Sequence, residues 1–209
     1  MAAAPASSAN NRPEILVVND DGIHAKGILN LAHAVKDFGN LTIVAPDGPQ
    51  SGMGHAISVG KPLRVAKTRL DDTFRGFAIS GTPVDCVKLA TGHLMKRKPD
   101  LVVSGINHGA NSAISVFYSG TMSAAVEAAI ENIPGIGFSL CDFSHDADFA
   151  PAREVVRTVV RDALENRFPP HTALNVNIPA VSQEELKGMK VCRQAQGRFV
   201  EEFDKRVDP

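Results

Sequence analysis

Strand-length apolar bursts, spaced so that a helix fits between each and the next, constrain this chain more than any other feature. They are ILVVN (15–19), LTIVA (41–45), DLVVS (100–104), IGFSL (136–140) and ALNVNIP (173–179). Between the first two, Ile28, Leu31, Ala32, Val35 and Phe38 fall on one helical face, and Gly39 is expected to stop that helix. GTPVDCVKLATGHLM (81–95) begins a second helix, with Thr82 as N-cap, Pro83 at the first helical position and Asp85 in the first turn. MSAAVEAAIENI (122–133) reads as a buried helix of small residues. In PAREVVRTVVRDALENRF (151–168), Val155, Val156, Val159, Val160, Ala163 and Leu164 share one side. KPLRVAKTRLDDTFRGFAIS (61–80) alternates, which predicts a hairpin-like excursion. Strands alternating with helices predict right-handed βαβ units and an α/β fold on a mostly parallel sheet. Bursts with no polar alternation fit strands covered on both faces.

The 209 residues suffice for one domain with a sizeable core. The net charge is −1 and Lys and Arg are scattered, which is no footprint for a nucleic-acid polymer or a membrane surface. No apolar run approaches 18 residues, so no transmembrane helix is expected. The start, MAAAPASSANNRPE (1–14), lacks the basic and apolar regions of a secretory signal and reads as a disordered tail. Cys86, Cys141 and Cys192 are odd in number and form no CxxC; Cys86 and Cys141 lie in apolar patterns. Reduced thiols in a cytoplasmic protein are the simplest expectation.

In open α/β sheets, ligands bind beyond the carboxyl ends of the strands. The first strand is followed by NDDG, the second by PDGPQSGMGH and the third by GINHGAN. If these strands are parallel, one sheet edge collects Asp20, Asp21, Ser51 and Asn107. All four are oxygen donors, which suits a hard cation such as Mg²⁺ or Mn²⁺. Two like charges side by side at the end of a core strand are costly, and a bound cation would turn their repulsion into shared attraction. Taken alone, Asn-Asp-Asp-Gly is also ordinary turn and cap chemistry, and Ser51 and Asn107 are ordinary loop residues. Both acids must be ionised to hold a cation, so binding is expected to weaken towards the ordinary Asp pKa of about 4. YSGT (118–121) precedes a helix and offers free N–H groups for a phosphate; its plain alternative is a Ser/Thr N-cap. No GxxxxGK[ST], no GxGxxG after the first strand and no GxSxG elbow occur. His24, His55 and His108 lie in or near these loops; His108, next to Asn107, is the best placed for proton transfer.

ILVVNDDGIHAKGI, VAPDGPQSGMGHAIS, PLR, GTPVDCVKLA, PDLVVSGINHGAN and YSGTMSAAVEAA, in that order, resemble the SurE family of nucleotidases from about Ile15 onward. The resemblance implies a Rossmann-like three-layer sandwich and one divalent cation per subunit. It also implies hydrolysis of nucleoside 5′-monophosphates, with 3′-monophosphates and short polyphosphate as further substrates. Metal ligands would be Asp20, Asp21, Ser51 and Asn107, with Asp20, Asp21 and Asn107 also serving catalysis. Phosphate contacts would come from Ser119, Gly120 and Thr121; Asn19, Gly52 and His108 are candidate substrate contacts in the same loops. Ser123 stands where members often have Gly, Val84 where they often have Ala, and SAIS (112–115) differs from the usual segment. Members continue several tens of residues beyond KRVDP and assemble as oligomers, so this chain is expected to be shorter than its relatives. The expected organisation is a tail over 1–14, a catalytic domain over 15–190, and a C-terminal ribbon over 191–209 that pairs with another subunit in a homodimer or homotetramer. A non-catalytic nucleotide- or phosphate-sensing module on the same fold is the alternative.

Overall fold

The computed structural model describes residues 12–166 and 169–207, and at its centre lies β1 (Glu14–Val18). Ile15, Leu16, Val17 and Val18 are fully buried. Ile15 and Val17 join the apolar cluster on one face of the sheet, and Leu16 and Val18 join the cluster on the other. That division is the two-residue period of a strand covered on both sides. Each such side chain contributes about 1.5–3 kcal/mol by leaving water.

The chain continues through α1 (Lys26–Val35), β2 (Asn40–Pro46), β3 (Val65–Arg69), β4 (Arg75–Ile79), α2 (Pro83–Leu89), a π-turn (Ala90–Leu94) and β5 (Leu101–His108). It then forms α3 (Ser115–Tyr118), α4 (Gly120–Ile130), β6 (Gly135–Cys141), α5 (Ala152–Glu165) and β7 (Ala173–Pro179). The seven strands lie in the order β3-β4-β2-β1-β5-β6-β7. All neighbours are parallel except β3, which pairs antiparallel with β4 as the expected hairpin. Helices α1 and α5 cover one face, and α2 and α4 cover the other. The chain builds outward from β1 to β2, then crosses to β5 on the opposite side. The crevice between these directions is where such sheets bind ligands.

Local chemistry sets the helix starts. Thr82 accepts a hydrogen bond from the Asp85 N–H, and Asp85 accepts one from the Thr82 N–H, which closes a capping box ahead of Pro83. α1 ends at Val35, short of the expected stop at Gly39. Gly39 serves packing instead, since a Cβ there would stand 2.3 Å from the Pro13 carbonyl oxygen. α1 itself rides on β5, and a Cβ on Gly27 would meet the Ile106 carbonyl oxygen at 2.0 Å.

Three expectations need correction. Residues 186–207 carry neither helix nor strand, so the ribbon expected over 191–207 is not formed within the single chain. A two-stranded ribbon without a third partner is marginal in water. Cys141 ends β6 and is exposed, whereas Cys86 is buried as its pattern predicts; all three thiols are free. Most of the tail expected over 1–14 lies outside the described residues. Arg12 already donates to the Lys36 and Asp37 carbonyls, and Glu14 already belongs to β1.

Candidate functional site

The loops after β1, β2 and β5 meet at one edge of the sheet, tied by backbone hydrogen bonds. The Gln50 N–H donates to the Asp20 carbonyl at 2.7 Å, which lays the β2 loop over the β1 loop. The Gly54 N–H donates to the Tyr118 carbonyl at 3.1 Å, which joins the β2 loop to the start of α4. Ile23 N–H donates to the Pro46 carbonyl, and Gly22 turns the chain at a φ of +100°.

Asp20 is 4% exposed. It does not cap its own turn; its carboxylate lies against the N-terminus of α4. Thr121 Oγ1 donates to Asp20 Oδ1 at 2.5 Å, and a Cβ on Gly120 would come within 2.6 Å of the Asp20 Cβ. Glycine at 120 is therefore what lets the carboxylate approach the helix end, where the dipole favours negative charge. Burial still dominates and, with the neighbouring Asp21 charge, lifts the Asp20 pKa to about 6 against the Thr121 hydroxyl, which lowers it. Asp21 is half-buried. Burial raises its pKa too, opposed by the His108 backbone N–H and the His108 ring. Proton competition at Asp20 therefore begins near pH 6, well above the ordinary value of about 4.

Asn107 reaches the edge through an irregularity. Between Ser104 and Asn107 the β5–β6 register shifts, and Gly105 adopts a φ of +121°. A Cβ on Gly105 would stand 2.3 Å from the Phe138 carbonyl oxygen, so the bulge requires glycine. Asn107 Nδ2 donates to the His108 and Gly109 carbonyls at 3.0 and 2.8 Å, which turns Oδ1 the other way as a free donor atom. Ser51 and Gly52 form the exposed tip of the β2 loop, with Gly52 at a φ of +76°. Asn19 follows β1; its Nδ2 donates to the Gly22 carbonyl, while Oδ1 is buried without a partner. An orphaned amide oxygen in a turn that carries two carboxylates whose charge burial disfavours fits the chemistry of a cation site. Among the described residues no group of three His, Cys, Asp or Glu could hold a metal. A cation held by Asp20 and Asp21 would therefore have to draw further ligands from hydroxyl and amide oxygens such as those of Ser51 and Asn107.

Ser119 is the N-cap of α4: its Oγ accepts from the Met122 N–H at 3.0 Å, and its carbonyl accepts from Ser123 Oγ at 2.7 Å. Two of the YSGT side chains are thus already engaged, Ser119 as a cap and Thr121 on Asp20. The His108 ring stacks edge-on against Phe149 at 5.0 Å. His24 is exposed in the turn before α1.

Two clusters escaped the sequence reading. Glu127 of α4, 4% exposed, accepts from His55 Nε2 at 2.8 Å and from Lys88 Nζ at 2.9 Å. The signal was present, since a lone carboxylate in a helix of small buried residues needs partners. Asn111 donates through its N–H to Asn177 Oδ1 and through Nδ2 to Ser139 Oγ, and its carbonyl accepts from Asn175 and Asn177. The repeated Asn of LNVN hints at that network, but only the neighbouring strand reveals its target.

The family model described as "Survival protein SurE" matches residues 15–201. The chain is 54% identical over 200 residues to the 5′-nucleotidase SurE of Christiangramia forsetii, covering 95% of this chain and 77% of that protein. It is 55% identical over 201 residues to the 5′-nucleotidase SurE of Flavobacterium johnsoniae, covering 96% and 78%. The crystal structure of the SurE protein from Aquifex aeolicus superposes with a TM-score of 0.78 at 41% identity, covering 88% of this chain and 73% of that one.

Proposed function

Because the chain belongs to the SurE family, we propose that it is a 5′-nucleotidase that hydrolyses nucleoside 5′-monophosphates with the help of one divalent cation per subunit. The observation that carries this reading is the adjacent pair of buried Asp20 and half-buried Asp21, held at the sheet edge with pKa values raised by burial. Asp20, Asp21, Ser51 and Asn107 would hold the cation, Mg²⁺ or Mn²⁺. When bound, it supplies the positive charge that polarises the phosphoryl group and acidifies the attacking water. Thr121 fixes Asp20, and the Asn107 amide, spent on two carbonyls, fixes its own oxygen. The backbone N–H groups of Gly52 and Gly120, with Ser119, Thr121, Asn19 and His108 beside them, would orient the phosphate and meet its charge. The same set takes 3′-monophosphates and short polyphosphate, since it reads the phosphate before the nucleoside.

A pure phosphate sensor fits less well. An anion binder gains nothing from two carboxylates beside its ligand, and the Thr121 hydroxyl is already given to Asp20. The deciding experiment is phosphate release from a panel of nucleoside monophosphates and polyphosphate with Mn²⁺ or Mg²⁺. Release that needs metal is expected; tight mononucleotide binding without turnover would favour the sensor. The C-terminal segment from 191 onward, with Val191, Val200, Phe203 and Val207 exposed, would pair with another subunit to give a dimer or tetramer. The free thiols fit a cytoplasmic setting.

A further inference from the structure

The loop between β2 and β3 spans residues 47–64 with no helix or strand of its own, yet it must present Ser51 at a defined place. Its fastenings lie on either side of an exposed tip, Ser51 to Met53. Before the tip, the Gln50 N–H reaches the Asp20 carbonyl. After it, the Gly54 N–H reaches Tyr118, the Ala56 carbonyl accepts from Thr82 Oγ1 at 2.7 Å, and the Ser58 N–H donates to Asp85 Oδ1 at 3.0 Å. Among the described residues, the side-chain tie nearest Ser51 within this loop is His55 Nε2 to Glu127 Oε2, at 2.8 Å.

Glu127 is unusual in its setting. Eight other residues of α4 are buried, and none of them is charged. Both of its oxygens are taken, Oε1 by Lys88 from α2 and Oε2 by His55 from the loop. Burial pushes its carboxyl up, but Lys88 and His55 outweigh that and hold it below the usual value. A paired buried carboxylate returns little net stability, because desolvation cancels most of the attraction. What the arrangement supplies is direction: α4, whose first turn holds Asp20 through Thr121, also holds the loop that carries Ser51.

We propose that His55 and Glu127 are positioning residues for this reaction, a strut that fixes Ser51 relative to Asp20 so that both can serve one cation. The proposal rests on the metal-dependent reading above and adds a role for two side chains that touch neither substrate nor metal. Outer residues that orient ligands typically account for 10–100-fold in metal affinity.

The test measures Mn²⁺ binding by calorimetry and amide exchange over 47–58, both independent of turnover. His55→Phe keeps a ring and removes the donor. It is expected to weaken Mn²⁺ binding about 10-fold and speed exchange in the loop, while Tm of the metal-free chain moves by less than about 3 °C. In assays the loss should fall on the metal dependence and KM more than on kcat at saturating metal. His55→Gln, which restores an N–H near the same point, should recover most of the affinity. A His55→Phe/Glu127→Gln double variant should be no weaker than the worse single one, because both changes break one link. Mn²⁺ affinity within about twofold of wild type, with unchanged loop exchange, in His55→Phe would overturn the proposal. If that variant does not fold, the same result in Glu127→Gln overturns it. Wild type that binds Mn²⁺ through a His55-dependent site yet releases no phosphate would overturn the nucleotidase reading and support the strut. Wild type that binds no Mn²⁺ would overturn both.

Discussion

Asp20 serves two opposed requirements. Folding buries it, which favours the proton; holding a cation requires the proton gone. A carboxyl whose folded pKa of about 6 exceeds its ordinary 3.8 binds its proton more tightly in the folded state. Its contribution to the metal-free fold is therefore present below about pH 4 and lost as pH rises through about 6, a swing on the order of 3 kcal/mol. Metal-free protein should accordingly lose stability between pH 4 and 6, and Mn²⁺ should restore it at pH 7 but not at pH 5. Denaturant titrations at those pH values, with and without Mn²⁺, check this; a metal-free stability flat across that window would count against it. Asp20→Asn keeps a hydrogen-bonding side chain and removes the charge. It should preserve or raise metal-free stability at pH 7 while kcat/KM falls at least about 100-fold, roughly 3 kcal/mol of transition-state stabilisation. Asp21→Asn should lose activity comparably with a smaller gain in stability, since Asp21 is only half-buried. Near-normal turnover in both variants would mean that the acids are mere turn residues.

At the scale of elements, local rules made most of the fold legible in the sequence. The apolar bursts became strands, and Thr82, Pro83 and Asp85 opened a helix as their types dictate. Asp20 and Asp21 reached the common edge because strand direction decides where a following loop lies; Asn107, expected in a loop, reaches it within β5, which runs on to His108. What stayed hidden depends on partners distant in sequence. The shift in β5 that aims Asn107 answers to the Phe138 carbonyl across the sheet. Gly39 marks a close approach to Pro13, which helix-stop rules do not contain. Glu127 was visible as a misplaced charge, but neither His55 nor Lys88 could be named as its match. Gly27 gives the clearest element-scale prediction. Its missing side chain lets α1 settle on the backbone of β5, so Gly27→Ala must push helix and strand apart. A loss of about 2 kcal/mol or more is expected, a fall in Tm of about 4–8 °C. The better helix propensity of Ala returns less than about 1 kcal/mol. A calorimetric scan showing an unchanged or higher Tm would refute the close packing.

At the scale of the whole molecule, the C-terminal segment calls for a partner. Val191, Phe199, Val200, Phe203 and Val207 are all exposed along an unpaired stretch of chain. Light scattering is expected to show a dimer or tetramer at micromolar concentration, and removal of residues 191–209 should shift the chain towards monomer. An intact chain that stays monomeric would defeat that view. The segment also runs past the site: Gln194 Nε2 donates to the Ala113 carbonyl at 2.8 Å, and the Phe199 ring meets the Tyr118 ring at 5.5 Å, directly before Ser119. If assembly draws this segment onto a second copy, the ring resting on Tyr118 will come from the neighbour. Specific activity then becomes a function of protein concentration. Dilution through the dissociation range should dull the enzyme before it unfolds it, and added inactive Asp20→Asn subunits should revive dilute wild type.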